Sequence, residues 1–485
     1  MSKYDTLQPK SVWKIFAELS KVPRGSGNET GVMTMLKAWA DARGLKWRDD
    51  EVGNLLVMIP GSKGREKAKP VLVQGHVDMV CEKNSGTKHD FETDPIKLRV
   101  KGGWVEADGT TLGADNGIGV AMGLAVAEEK GLKHPPLEVL LTVDEERGLT
   151  GAAGVQAGFF KSRRMINLDS EEDAALFIGC AGGRDSDITV KNKKVKLGKG
   201  LVGRKVSVKG LKGGHSGLDI HKHRGNAIKI LTRVLLAARG EVPFKLVDID
   251  GGSMRNAIPR EAAARVAVPE AKARLFKKLV DAAAGRIAAE ELAGSDEGLV
   301  VKVGSAKVAH SLGGNCTLRT LHMLDALPNG VLDMSATIDG LVETSSNVGV
   351  VKTDGSQVRI VCCSRSSNMS VLDGLVARHR SLAAMLGDRA VIAQPEGYPG
   401  WLPNPKSDMV RTTARMYKKL FKAEPTLTAI HAGLECGLLT EKYPDLDIVS
   451  FGPDITGAHS PDERVSVKSV AKIWKLFAAV LADLR

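Results

Sequence analysis

The sequence predicts an α/β protein in two parts: an open, mainly parallel sheet with helices, built from both ends of the chain, and an α+β unit inserted at about 185–395. Three observations predict it. Short apolar runs alternate with amphipathic helical stretches up to residue 184, and that texture returns after 395, as in strands covered by helices. Between them, 185–210 alternates basic and β-branched residues (DSDITVKNKKVKL, then GRKVSVKG), as half-exposed antiparallel strands do. Finally, several apolar runs of the outer parts finish in His, Asp or Glu, and strand ends are where open α/β sheets bind ligands.

Composition narrows the function. A hydrophobic content of 43% with 26% charged residues fits a soluble globular protein. No run of eighteen apolar residues exists, so no membrane partner is expected, and the N-terminal MSKYDTLQPKSVWKIF lacks the apolar stretch of a secretion signal. Six Cys without CxxC spacing suit the reducing cytoplasm. The net charge of +12 invites a nucleic-acid reading. The basic residues are scattered, however, without interleaved aromatics or finger spacing, so they read as a solvated surface with no nucleic-acid partner. HExxH, Walker A and GxSxG are absent.

In chain order, Trp13, Phe16 and Leu19 recur at helical spacing after Pro9, and 29–43 continues the pattern until Gly44 stops it, giving two helices. Stretches 45–47 and 54–59 have strand length with Gly53 as the turn between them, and 61–69 (GSKGREKAK) is a basic surface loop. The next run is a short buried strand ending at His76, with Asp78 two residues on. Residues two apart share a side of an extended chain, so one can ligate a metal while the other fixes the imidazole tautomer. A buried His with an Asp partner is also an ordinary structural pair. Asp115 follows on a turn among Gly113, Gly117 and Gly119, where the backbone can approach a ligand and a carboxylate can bridge two ions. Gly117, Gly119 and Gly123 are too widely spaced for a dinucleotide fingerprint and follow Asp-Asn instead of a strand, so 118–130 reads as a helix.

Stretch 136–143 (PLEVLLTV) is a strand ending in Asp144-Glu145-Glu146. Repulsion and desolvation would raise the pKa values of these carboxyls unless a cation compensates. Another strand, 165–168, ends in Asp169-Ser170-Glu171-Glu172. Three strands that finish in hard-ligand residues point to a metal site with more than one ion. Inside the insertion, 226–239 and 271–293 read as amphipathic helices, and 336–352 and 357–363 as strand-rich. There His215 sits on a Gly-rich loop (GGHSG), Asn256 leads into the extended Ala257-Ile258-Pro259, and Arg365 follows the strand 358–363. A loop His, a turn Asn and a surface Arg are equally plain readings. Strands 427–430 and 446–451 then end at HAGLE and at GPDITGAHSPD, the loop of His459, before a terminal helix over 465–484.

With His76, Asp78, Asp115, Glu145, Glu146, Asp169 and His459 in this order, the chain resembles the M20 metallopeptidases and, within them, the aminoacyl-histidine (Xaa-His) dipeptidases. The resemblance is carried by GHVDMV, TTLGADNGIGVA, NLDSEE, GCAGG, KGLKGGHSG, RNAIPRE, VETSSNVGVV, HAGLECGL and ITGAHSPDE, spread over nearly the whole chain. HxD or EE alone is weak; the ordered set is specific. The resemblance implies a zinc-peptidase-like catalytic domain from 1–184 and 396–485, with 185–395 as a lid or dimerisation domain of a homodimer. It implies two Zn²⁺, with Mn²⁺ or Co²⁺ as substitutes: His76 and Asp169 on one, Glu146 and His459 on the other, and Asp115 bridging. Asp78 would orient His76, and Glu145 would be the general base. His215, Asn256 and Arg365 become candidate substrate contacts, His215 for the tetrahedral oxyanion and Arg365 for a terminal carboxylate. The expected activity is cytoplasmic hydrolysis of Xaa-His and other unsubstituted dipeptides. Another amidohydrolase of the family, such as an aminoacylase or a broader di- or tripeptidase, is the alternative, and a basic nucleic-acid-binding or scaffolding protein with a vestigial metal site is a third. Asp144 departs from the Thr that close relatives often carry.

Overall fold

Near-continuous apolar runs such as VLV in Val71–His76 and VLL in Leu137–Thr142 need cover on both faces, and both strands are buried along their whole length. They lie side by side in the computed structural model, which describes residues 6–313 and 315–484. The first five residues of the N-terminal segment examined above for a secretion signal lie outside the described residues. The chain divides into two compact units, one of residues up to Cys180 with Trp401–Ala429 and Leu434–Arg485, the other of Ala181–Gly400 with Ile430–Gly433.

The first unit is built on an eight-stranded sheet in the order Lys46–Asp49, Leu55–Ile59, Leu137–Thr142, Val71–His76, Arg164–Asn167, Asp447–Ser450, Ala175–Cys180, Thr426–Ile430. The parallel pairs are the central ones, from Leu137–Thr142 to Asp447–Ser450, and antiparallel pairs flank them. The parallel strands therefore all deliver their C-terminal ends to one edge. Helices Lys10–Leu19 and Thr30–Asp41 follow the periodicity seen in the sequence, with Val12, Trp13, Ile15, Phe16 and Leu19 buried on the first. The terminal helix Val467–Asp483 buries Val470, Ile473, Leu476, Phe477, Val480 and Leu481, and the Ser466 side chain caps its N-terminus by accepting the Ser469 N–H.

The second unit carries an antiparallel sheet whose main order is Val300–Ser305, Leu201–Lys209, Ala262–Pro269, Lys245–Gly251, Val342–Asp354, Gln357–Ser366, Gly182–Val190, Ala390–Ala393. Helices Ala227–Arg239 and Ala273–Glu290 pack through Ile228, Leu231, Val234, Leu235, Phe276, Val280 and Ile287 into one core with the sheet's apolar face. Asn226 caps the first of these helices at Ile228 N–H and Lys229 N–H, and its amide also donates to Asn329 and to the Val348 carbonyl, which joins the cap to the sheet. Among the described residues no helix is long and apolar enough to cross a membrane.

Candidate metal centre

The edge defined by the parallel strands is where the ligand-type residues collect. His76 closes Val71–His76, the Asp144-Glu145-Glu146 run follows Leu137–Thr142, and Asp169 follows Arg164–Asn167. Beneath them lies a polar row with one residue from each of the four central strands. The Gln74 amide donates to Thr142 Oγ1 at 3.2 Å, Asn167 donates to Gln74 Oε1 at 2.6 Å, and Ser450 donates to Asn167 Oδ1 at 2.5 Å. Glu435, fully buried at the start of the Glu435–Lys442 helix, accepts from Gln74 at 2.5 Å and Thr142 at 2.7 Å. Burial, opposed by His76, raises its pKa to about 7. These cross-links fix the strand ends relative to one another.

Asp115 is the hub. Its Oδ1 lies 3.1 Å from His76 Nε2 and its Oδ2 lies 3.3 Å from His459 Nε2, one oxygen for each imidazole. Asp169 Oδ1 is 3.3 Å from the same His76 nitrogen, and Glu146 Oε2 is 2.9 Å from His459. Two groups of potential ligand atoms result, His76 with Asp115 and Asp169, and Asp115 with Glu146 and His459; Glu145 joins a third with His76 and Glu146.

The electrostatics call for cations. Glu145 is pushed well up by burial, against His76, with Asp169, Glu435 and Glu146 adding repulsion. Asp169 rises to about 6 through burial, opposed by His76 and reinforced by Asp115. Conversely, hydrogen bonds to Asp115 and Glu146 outweigh burial and raise His459 to about 11, while at His76 burial is overcome by Asp169 and Asp115. Buried carboxyls and imidazoles that raise one another's proton affinity in this way form the kind of His/carboxylate cluster whose charge a divalent ion would balance. Among the described residues, buried Glu146 Oε1 and Asp169 Oδ1 make no well-directed hydrogen bond, although the latter lies 3.3 Å from His76 Nε2, which suits oxygens that would take a metal ion. The donor set fits a metal pair.

Asp78 is buried behind His76. Its Oδ1 lies 3.3 Å from His76 Nδ1 and accepts Glu145 N–H at 3.0 Å; its Oδ2 accepts Glu146 N–H at 3.2 Å and Ser26 Oγ–H at 2.8 Å. Burial works against ionisation, yet the His76 hydrogen bond and charge bring Asp78 down to about 2. One carboxylate therefore holds the imidazole and the turn that carries both glutamates. That turn is helical, and the strict strand alternation of side chains ends at Asp144, whose backbone is left-handed (φ 53°). Asp144 N–H donates to Glu29, and its carboxylate pairs with Arg147 at 2.6 Å.

Two further residues escaped the sequence reading. Buried Arg24 donates to the carbonyls of Val77 at 2.8 Å and Gly113 at 2.6 Å. Glu463 accepts four N–H groups of the same turn, from Leu112 and Gly113 on one oxygen and Ala114 and Asp115 on the other, at 2.7–3.3 Å. Together they present Asp115. Glu463 lies within the ITGAHSPDE stretch, four residues after His459, and that proximity was the available signal. The glycines around Asp115 also make room for neighbouring groups of the protein. A Cβ at Gly117 would stand 2.7 Å from Arg24 Nη2, and one at Gly119 would stand 2.4 Å from the Leu168 carbonyl, so they admit Arg24 and the neighbouring strand.

The second unit holds its own cluster. His215 and Ala257 pair across a short antiparallel bridge, and the Asn256 carbonyl accepts Ser216 N–H at 2.8 Å, so Asn256 joins the His215 loop through its backbone. His215 Nδ1 accepts from Leu218 N–H at 3.1 Å and Gly217 N–H at 3.3 Å, which leaves the proton of the neutral ring on Nε2. That nitrogen faces Arg365 Nη2 at 3.5 Å, two donors turned towards each other. Burial and the Arg365 charge lower the His215 pKa, so the ring is neutral near pH 7. Buried Arg365 donates at 2.6 Å to Tyr398 Oη, and among the described residues no carboxylate lies within ion-pair distance of it. His431, 2.7 Å from Ser345 Oγ, is driven down to about 3 by burial and by Arg365.

An open α/β protein that sets one carboxylate between two imidazoles at the C-terminal edge of its parallel strands is the class that this fold and site define. Residues 72–483 match the model of peptidase family M20/M25/M40, and the chain belongs to that family. It is 42% identical to the cytosol non-specific dipeptidase of Escherichia coli (strain K12), over 100% of this chain and 99% of that one. Among solved structures it is similar to the aminoacylhistidine dipeptidase from Vibrio alginolyticus, with a TM-score of 0.93 and 40% identity over 100% of this chain and 98% of that one. Aminopeptidase PepT from Bacillus cereus, at 17% identity and a TM-score of 0.59 over 99% of both chains, shares the fold.

Proposed function

We propose that the protein is a metal-dependent dipeptidase that hydrolyses Xaa-His and other unsubstituted dipeptides in the cytoplasm. The observation that carries the reading is Asp115, whose two oxygens serve two different imidazoles. His76 and Asp169 would hold one Zn²⁺, Glu146 and His459 the other, and Asp115 both, with Mn²⁺ or Co²⁺ as substitutes. When bound, such a pair polarises a scissile carbonyl and acidifies water. Glu145, on the helical turn beside Glu146 and, among the described residues, outside ion-pair distance of either imidazole nitrogen, would take the proton of the attacking water and hand it to the leaving amine. Asp78 keeps His76 in one tautomer. The facing N–H groups of His215 and Arg365 would receive anionic oxygens, of which a dipeptide offers a terminal carboxylate and the oxyanion formed on attack; Asn256, whose carbonyl accepts an N–H of the His215 loop, would be a further substrate contact. The names of the two relatives at about 40% identity support dipeptides as the substrate class, and six unpaired cysteines suit the cytoplasm.

The test is a panel of Gly-His, β-Ala-His, Leu-Gly and N-acetyl amino acids. We expect hydrolysis of the unsubstituted dipeptides, its loss on chelation, and its return with Zn²⁺ or Mn²⁺. Turnover confined to N-acetyl amino acids would sink the dipeptide reading, and full turnover by demonstrably metal-free protein would sink the metal reading.

We further propose that the insertion 185–395, which falls within the Ala181–Gly400 unit, is a lid and dimerisation domain. Large apolar side chains stand exposed on it, including Leu218, Met254, Val300, Met334 and Val391. Sedimentation velocity at micromolar concentration should give twice the chain mass; a monomer there contradicts the homodimer.

A further inference from the structure

In the antiparallel pair formed by Gln357–Ser366 and Gly182–Val190, Arg365 stands opposite Gly183. On its other side Gly183 is bridged to Tyr398: Gly183 N–H donates to the Tyr398 carbonyl and Tyr398 N–H to the Gly183 carbonyl, each at 3.0 Å. Arg365, Gly183 and Tyr398 thus form one row across three chain segments, and residues opposite one another in antiparallel pairs project to the same face. The middle position of the row has no side chain. A Cβ at Gly183 would stand 2.5 Å from Tyr398 Cζ and Oη, so the phenol ring crosses the space that a side chain would fill. A second glycine flanks the ring, since a Cβ at Gly433 would stand 2.8 Å from Tyr398 Cε2. The hydroxyl reaches Arg365 Nη1 at 2.6 Å, and the other terminal nitrogen is left facing His215.

The chemistry of the partner matters as much as its position. A buried guanidinium is costly without a counter-ion. Arg365 is 6% exposed, its terminal nitrogens meet a phenol oxygen and the Nε2 side of the His215 ring, and among the described residues no carboxylate lies within ion-pair distance of it. A carboxylate in place of the phenol would orient the guanidinium equally well but would neutralise it in advance. A phenol orients it and leaves the charge for a ligand.

We infer that Tyr398 is a positioning residue that holds Arg365, through its hydroxyl and across Gly183, in the orientation that binds the terminal carboxylate of a dipeptide. The inference rests on the carboxylate role proposed for Arg365. Because Tyr398 acts only through ground-state binding, its loss should appear in KM, while kcat stays within about twofold.

The experiment compares wild type, Arg365→Ala and Tyr398→Phe on Leu-Gly and its C-terminal amide, with the amide's inhibition constant used if it is not turned over. Phenylalanine keeps the ring packing, so an effect belongs to the hydroxyl. We expect Arg365→Ala to abolish the preference for acid over amide, and Tyr398→Phe to raise KM for the acid about tenfold, the loss of one charge-assisted hydrogen bond, with the amide unchanged. If Arg365→Ala abolishes the preference and Tyr398→Phe leaves KM for the acid unchanged, Tyr398 has no such role while the Arg365 reading stands. If Arg365→Ala leaves the preference intact, the carboxylate reading itself is wrong and the inference falls with it.

Discussion

Glu145→Gln should lower kcat by about 100-fold or more while both metal ions stay bound, and Glu146→Gln should lose metal instead. The two glutamates are adjacent on one helical turn, and Asp78 accepts the N–H of each, so their backbones are equally fixed. Their side chains differ in company. Glu146 Oε2 lies 2.9 Å from His459 Nε2, beside Asp115, whereas no imidazole nitrogen lies within ion-pair distance of Glu145 among the described residues. A carboxylate outside the proposed ligand pairs but beside them, and raised well above its ordinary pKa by burial first, is suited to take and return a proton. Glutamine at 145 keeps the size and cannot accept the proton, and losing general-base catalysis costs about 10²–10⁴-fold. Glutamine at 146 removes a charged ligand, so activity should recover in part with excess Zn²⁺. Metal content measured beside kcat for both variants decides the roles. A Glu145→Gln protein short of one ion, beside a Glu146→Gln protein holding two, would reverse them.

Much of this site was legible because the sequence announces strand ends. Apolar runs that stop in HVD, DEE or DSEE place ligand-type residues at one edge of a parallel sheet, and the structure gathers His76, Asp115, Glu146, Asp169 and His459 there. What stayed hidden are the contacts that cross long stretches of chain. Arg24 reads as one Arg in a Pro-Gly loop, yet it binds carbonyls on either side of the centre. Gln74, Thr142 and Asn167 look like interruptions of apolar strands until the sheet aligns them. In the insertion, Ala262–Pro269 (AAARVAVP) is too alanine-rich to announce a strand; pairing on both sides, with Leu201–Lys209 and Lys245–Gly251, makes it one. Tyr398 is invisible for the same reason, since its role depends on Gly183 being small two hundred residues earlier.

Asp115→Asn should empty both metal positions together. Every other proposed ligand belongs to one position, but the two Asp115 oxygens lie 3.1 Å from His76 and 3.3 Å from His459, so its charge is shared. Asparagine keeps the shape and supplies only one oxygen, uncharged. The turn itself should survive, because Arg24 and Glu463 hold its backbone, four N–H groups and a carbonyl, independently of the side chain. Asp78→Asn is the comparison. Asp78 touches the side chain of only one proposed ligand, His76, through Nδ1 at 3.3 Å, and meets Glu146 only at its backbone N–H, so its loss should weaken chiefly one position by about 10–100-fold, as for residues that orient a metal-binding imidazole. Asp115→Asn should weaken both by more than that and leave less than one ion per chain after dialysis. Asp78→Asn should keep one ion tightly and regain the second at higher Zn²⁺. The readouts are metal content against free Zn²⁺ and thermal unfolding of the metal-free variants, which guards against a folding defect. An Asp115→Asn protein that folds normally and still saturates with two ions at the wild-type Zn²⁺ concentration would show that Asp115 does not bridge.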